Sequence, residues 1–151
     1  MGRIMAVDYG RKRAGIAVSD PMQMIATGLE TVAASELLAR IERYMASESV
    51  ERIVVGHPLM LDGTESDTAV TYVLPFVARL KKRFPDVTVE LSDERYTSKM
   101  AVNAMVAGGM KKKDRRDKAN IDKVSATILL QYYLEQTKYR RDNGAGSIFE
   151  Q

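Results

Sequence analysis

Three acidic positions stand out by where they fall in the chain: Asp8, the pair Asp93-Glu94, and Asp122. Asp8 interrupts a short apolar run, Asp93-Glu94 follows directly on an alternating one, and Asp122 opens an amphipathic one. In a sheet of the order inferred below, two strand ends and a helix start come together. Convergent carboxylates are what Mg²⁺ and Mn²⁺ require, because these hard ions take oxygen ligands and keep waters for substrate phosphates. Two such ions about 4 Å apart activate a water and stabilise the leaving oxygen of a phosphodiester. The chemistry implied is hydrolytic phosphoryl transfer.

Each carboxylate also has a plainer explanation. An aspartate is disfavoured in an apolar strand, so Asp8 points to function more than to a turn. Asp93-Glu94 could equally pair with Arg95. Asp122 taken alone is best explained as a complement to the helix dipole, but a helical wheel sets it in line with Ala126, Leu129 and Tyr133, at the border of the buried arc. Strand alternation groups Asp93 with Val89 and Leu91, and Glu94 with Glu90 and Ser92; spacing does not choose between them. The glycine-bracketed turn from Asp8 to Gly15 can present backbone N–H groups of Gly10, with Lys12 and Arg13, to phosphate. Lys111, Lys112, Lys113, Arg115, Arg116 and Lys118, against Asp114 and Asp117, leave a local charge of +4 within eight residues. After Gly108-Gly109 this run reads as a loop, and beside the carboxylates it reads as a nucleic-acid contact. His57 is the only histidine and there is no Gly-x-Ser-x-Gly elbow, so acyl-transfer hydrolysis is not supported. His57 is expected to pack or hydrogen-bond, and Asp62-Gly63 to make a turn.

Composition narrows the setting. A chain of 151 residues, 45% hydrophobic, is the size of one domain with its own core. The absence of cysteine removes disulfides, thiolate zinc and cysteine nucleophiles. A formal charge of +3, from 23 basic and 20 acidic residues, tilts toward anionic partners only slightly. No stretch reaches the ~18 apolar residues of a membrane span, and the apolar run before Asp8 is too short for a signal peptide. A cytoplasmic protein without membrane contact is expected.

The elements that must position these residues follow from periodicity. Arg3–Tyr9 and Gly15–Ser19 read as an antiparallel hairpin, Leu29–Ala33 as a third strand, and Ser35 as the cap of a helix burying Leu37, Leu38, Ile41, Tyr44 and Met45. Arg52–Gly56 suits a strand buried on both faces. A helix carrying Ala69, Val73, Phe76, Val77, Leu80 and Phe84 should kink at Pro75. Asp86–Ser92 is a further strand, followed by a helix to Ala107. A last helix should start at Asn120 as N-cap and run to about Lys138, burying Ile121, Ser125, Ile128, Leu129 and Tyr132. Residues 139–151 read as a disordered tail. The expected fold is α/β: a mixed five-stranded sheet with an antiparallel N-terminal meander and helices on both faces.

Taken together, the motifs resemble the YqgF family of Holliday-junction-resolvase-like nucleases, also called pre-16S rRNA nucleases. The resemblance rests on Asp8-Tyr9-Gly10-x-Lys12-Arg13-x-Gly15-x-Ala17-x-Ser19, on Val55-Gly56-His57-Pro58-Leu59 with Asp62-Gly63-Thr64, on Asp93-Glu94-Arg95-x-Thr97-Ser98, and on Ile121-Asp122-x-x-Ser125-Ala126 with Ile128-Leu129-Leu130-Gln131. Four motifs in the family's order span nearly the whole chain; Ser125 stands where alanine is frequent in the family. The resemblance implies an RNase H-like fold, Mg²⁺ or Mn²⁺, two ions with substrate bound, and maturation of the 5′ end of ribosomal RNA, with branched-DNA resolution as a related activity. By match to the acidic positions, Asp8, Glu94 and Asp122 would be the catalytic metal ligands, with Asp93 as fallback. Gly10, Lys12, Arg13, Arg95, Ser98 and the cations from Lys111 to Lys118 would contact structured RNA or branched DNA, as a monomer or homodimer. Two rivals remain: an ATP-binding phosphotransferase, which would need a second such domain around a cleft, and a non-catalytic nucleic-acid-binding module.

Overall fold

A computed structural model describes residues 2–60, 62–93, 107–109, 111 and 117–142. Five strands form one sheet in the order β3-β2-β1-β4-β5: β1 Arg3–Tyr9, β2 Arg13–Ser19, β3 Ala26–Ala33, β4 Val50–His57 and β5 Thr88–Asp93. The first three strands are an antiparallel meander, whereas β4 and β5 add to β1 in parallel. The mixed sheet expected from the sequence is therefore present. The tight turn from Gly10 to Arg13 closes with the Gly10 N–H donating to the Arg13 carbonyl at 2.8 Å. A Cβ on Gly10 would stand 2.9 Å from that same oxygen, which explains a glycine there.

Alternation along the strands sends their side chains to two different covers. Met5, Val7, Tyr9, Ile16, Ile53, Val55 and Val89 pack with Leu37 and Ile41 of α1 (Leu37–Ser47) and with Phe76, Val77 and Leu80 of α2 (Leu74–Arg83). Ile4, Ala6, Ala17 and Val54 face the opposite way and pack under Ala126, Leu129, Leu130 and Leu134 of α3 (Lys118–Asp142). Each buried leucine there contributes roughly 1.5–3 kcal/mol. β4 is thus buried on both faces, as its apolar run required.

Several element boundaries differ from expectation for local reasons. Ser35 caps nothing: Ala34–Glu36 is a 3₁₀ turn leading into α1, and neither turn nor helix has a side-chain cap. Pro75 lies near the start of α2, but the chain is already helical before it: a π-helical turn over Ala69–Val73 runs directly into α2, so the irregularity falls ahead of the proline as a π-turn. Asn120 is inside α3 rather than its cap, because the N–H groups of Asn120 and Ile121 both donate to the Asp117 carbonyl, one turn earlier. Tyr132 is 46% exposed, and Leu130 and Leu134 take its expected place in the buried arc. The helix expected to end at Ala107 falls largely outside the described residues. No helix among the described residues is long and apolar enough to cross a membrane.

Candidate metal and nucleic-acid site

Asp8 is the last residue of β1 on the face that carries Ile4 and Ala6, so it points to the side covered by α3. Its register partner on β2 is Gly15. The first turns of α3 descend directly onto that glycine: a Cβ there would lie 2.0 Å from the Asp122 carbonyl oxygen and 3.0 Å from the Lys123 nitrogen. Asp8 and Asp122 are therefore brought to one place by a backbone approach that only glycine allows. Both are half-buried, in keeping with the helical wheel of Asp122, whose neighbours Ala126 and Leu129 are buried.

The pairing of Asp122 was not foreseen. Arg13 Nε donates to Asp122 Oδ2 at 3.0 Å, across 109 residues of sequence. Gly10, Arg11, Lys12, Arg13 and Asp122 line a hollow of about 280 Å³, so the turn and the helix start share one cationic recess. Arg11 and Lys12 are exposed and have no carboxylate partner among the described residues.

Asp93 sits elsewhere. It is in register with His57, and its strand-mates Val89 and Leu91 lie opposite Ile53 and Val55, so it belongs to the α1/α2 face rather than to that of Asp8. Glu94, Arg95, Ser98, Lys112, Lys113, Arg115 and Arg116 lie outside the described residues. Lys111 is exposed, and Lys118 is the first residue of α3 rather than part of a loop. Among the described residues no three His, Asp or Glu side chains come together as a metal cluster. What suits a hard cation is that Asp8 and Asp122 both adjoin Gly15, one from the sheet and one from the covering helix. These are oxygen donors only, which fits Mg²⁺ or Mn²⁺ and not a soft metal.

His57 packs as expected, partly buried with Nε2 3.0 Å from Glu65 Oε1, an angle that makes no hydrogen bond. Asp62 holds its turn through Oδ1, which accepts from the Thr64 N–H at 2.9 Å, with Gly63 at φ +88 allowing the bend. Further along α3, Arg52 donates to Tyr133 Oη at 2.7 Å and also pairs with Glu90. Burial raises the Tyr133 phenol above its ordinary range, the Glu90 charge adds to this, and Arg52 opposes it. Arg52 and Glu90 lie toward the starts of β4 and β5, away from the strand ends that carry Asp8, so this network ties α3 to the sheet and takes no part in the site.

An antiparallel meander extended by parallel strands, with a strand-end aspartate facing a long helix, is the RNase H-like arrangement. Solved structures agree on the fold: Thermus thermophilus RuvC superimposes with a TM-score of 0.52 at 17% identity, covering 90% of this chain and 96% of the other. RuvC of T. thermophilus in complex with a Holliday junction substrate gives 0.54 at 17% identity, with the same coverage. The family model described as "RuvX: Holliday junction resolvase" matches residues 2–136, and the chain belongs to that family. Relatives bear the name "Putative pre-16S rRNA nuclease". One from Phocaeicola vulgatus is 52% identical over 139 residues, 92% of this chain and 99% of its own length; one from Bacteroides fragilis is 55% identical over 135 residues, 89% and 97%. By family the chain is a nuclease, a hydrolase of phosphodiester bonds.

Proposed function

We propose that the protein is a divalent-metal-dependent nuclease of the cytoplasm that matures the 5′ end of pre-16S rRNA, with Asp8, Glu94 and Asp122 as ligands of Mg²⁺ or Mn²⁺. The observation that supports this reading is that Asp8, as register partner, and the Asp122 backbone, by close approach, both adjoin Gly15, with Asp122 lining a cationic recess. The position of Asp93 on the other face is the reason for preferring Glu94 as the third ligand. When bound, the metal supplies Lewis-acid activation of a water and stabilisation of the leaving oxygen. The chain's own part is to hold and to orient. Gly15 fixes the separation of strand and helix, and Arg13 holds the Asp122 carboxylate beside the recess until a cation takes its place. Lys12 and Arg11 offer exposed cations to phosphates on either side of the cleaved bond. Lys111–Lys118, Arg95 and Ser98 extend the same track in this reading.

The relatives' names favour ribosomal RNA, and the family description favours a second reading, cleavage of four-way DNA junctions, for which two copies would have to act together. A pre-16S rRNA fragment and a four-way DNA junction, each incubated with Mn²⁺ or with chelator, distinguish them. Cleavage of the RNA alone is expected, lost with chelator and reduced about a hundredfold or more in Asp8→Asn, a barrier increase of about 2.7 kcal/mol. Normal cleavage by Asp8→Asn overturns the metal reading, and cleavage of the junction alone overturns the substrate.

A further inference from the structure

On the other side of the Gly10–Arg13 turn from Asp122 lies a second hollow of about 280 Å³, lined by Tyr9, Arg11, Leu38, Tyr72, Phe76 and Arg79. Its floor is rigid, because the Tyr9 and Phe76 rings are stacked with centroids 4.4 Å apart and planes within 4°. Tyr72 is half-buried and forms an aromatic wall. Arg79 stands over Phe76, its guanidinium 5.9 Å from the ring centroid, with the side chain open to solvent. Tyr72, Phe76 and Arg79 share one side of the helical segment at spacings of four and three.

Two arginines without a carboxylate partner line this one hollow, whereas Arg43, Arg140 and Arg141, also without one among the described residues, do not line it. Arg3, Arg13, Arg40, Arg52 and Arg83 each pair with a carboxylate. Arg11 and Arg79 have none among the described residues, and none of the residues lining the hollow is acidic. Two uncompensated guanidinium groups beside an aromatic wall fit a ligand that is anionic at one end and flat and aromatic at the other. The volume is slightly below the ~300 Å³ at which small-molecule pockets begin, room for about one base. Arg11 lines both hollows, and Tyr9 follows Asp8 directly in β1 with its side chain on the opposite face. A strand crossing the turn would run from one hollow into the other.

We propose that Arg11, Tyr72 and Arg79 form a subsite for one unpaired nucleotide flanking the cleaved bond, its base against Tyr72 and its phosphate on the two arginines. The inference rests on the nuclease reading and adds a preference for single-stranded substrate next to the site, since a paired base enters only at the added cost of unpairing and unstacking.

The test is fluorescence anisotropy in chelator, so that no strand is cut, with a labelled single-stranded RNA and a blunt duplex of equal length. Arg79→Ala and Tyr72→Ala should each weaken single-strand binding about fivefold or more and leave duplex binding within about twofold. Arg79→Ala should also reduce the slope of log affinity against log salt by about 0.7, one phosphate contact on a single strand, and Arg79→Lys should restore that slope but not the full affinity. Melting temperatures check that the variants fold; if Tyr72→Ala does not, Tyr72→Leu, which keeps bulk and loses the ring, takes its place. Single-strand affinity and slope unchanged in Arg79→Ala, or equal losses on strand and duplex, overturn the subsite while leaving the nuclease reading intact. A wild-type protein that binds neither nucleic acid overturns both.

Discussion

Arg13 grips Asp122 through one N–H at 3.0 Å, and both side chains remain partly open to solvent, 37% and 24%. Exposure of that order limits such a pair to about 0.5–1 kcal/mol, so under the proposed reading a divalent cation arriving at Asp122 would displace the guanidinium readily and free it for phosphate. Arg13→Ala should therefore bind Mn²⁺ about two- to fivefold more tightly than the wild type in calorimetry, while its affinity for single-stranded RNA in the presence of Ca²⁺ falls. Unchanged or weaker Mn²⁺ binding would show that Arg13 and the metal do not compete for Asp122. Asp8 was legible in the sequence because a carboxylate in an apolar strand has few structural excuses. The partner of Arg13 was not, since an ion pair spanning 109 residues leaves no local pattern; the cation read as a phosphate ligand proved to be held by a proposed metal ligand.

At the scale of elements, the site depends on how closely α3 meets β2. The Cβ that Gly15 lacks would sit 2.0 Å from a backbone oxygen of α3, and backbone cannot turn aside as a side chain can. Gly15→Ala must push the start of α3 off the sheet. A destabilisation of about 1–3 kcal/mol or more is expected, lowering the melting temperature by about 2–12 °C, together with weaker Mn²⁺ binding even well below the transition. If Gly15→Ala binds Mn²⁺ as the wild type does, the close approach is a matter of packing alone. The strands and the amphipathic helices were readable from their periods, and β1 was read to its observed bounds. Helix starts were less so. Asp117 and Asn120 are equally good capping types three residues apart, and only the tertiary path of the chain makes Asp117 the residue on which the first turn closes. Three consecutive apolar residues, Ile128-Leu129-Leu130, likewise left the rotation of α3 open until Ala126 and Leu129 were seated on Ala6 and Ala17.

For the molecule as a whole, the two carboxylates proposed as ligands belong to different structural layers, Asp8 to the sheet and Asp122 to the helix that covers it. A cation held by both exists only where the layers are docked, so it binds the native state and not the unfolded chain. At a concentration 100 times its dissociation constant such an ion stabilises by about 2.7 kcal/mol, and for a domain of this size each kcal/mol moves the melting temperature by about 2–4 °C. Saturating Mn²⁺ should thus raise the wild-type melting temperature by about 5–10 °C, an excess of chelator should reverse the rise, and Asp8→Asn or Asp122→Asn should each lose most of it. The comparison is made between melts of the same variant with and without metal, which removes whatever each substitution does to the apo fold. It also needs no nucleic acid and no turnover, so it separates the metal site from the choice of substrate. A wild-type shift that survives intact in both variants would mean that Mn²⁺ binds elsewhere on the molecule, and the junction of β1 with α3 would then have to be explained by packing and by the Arg13 ion pair alone.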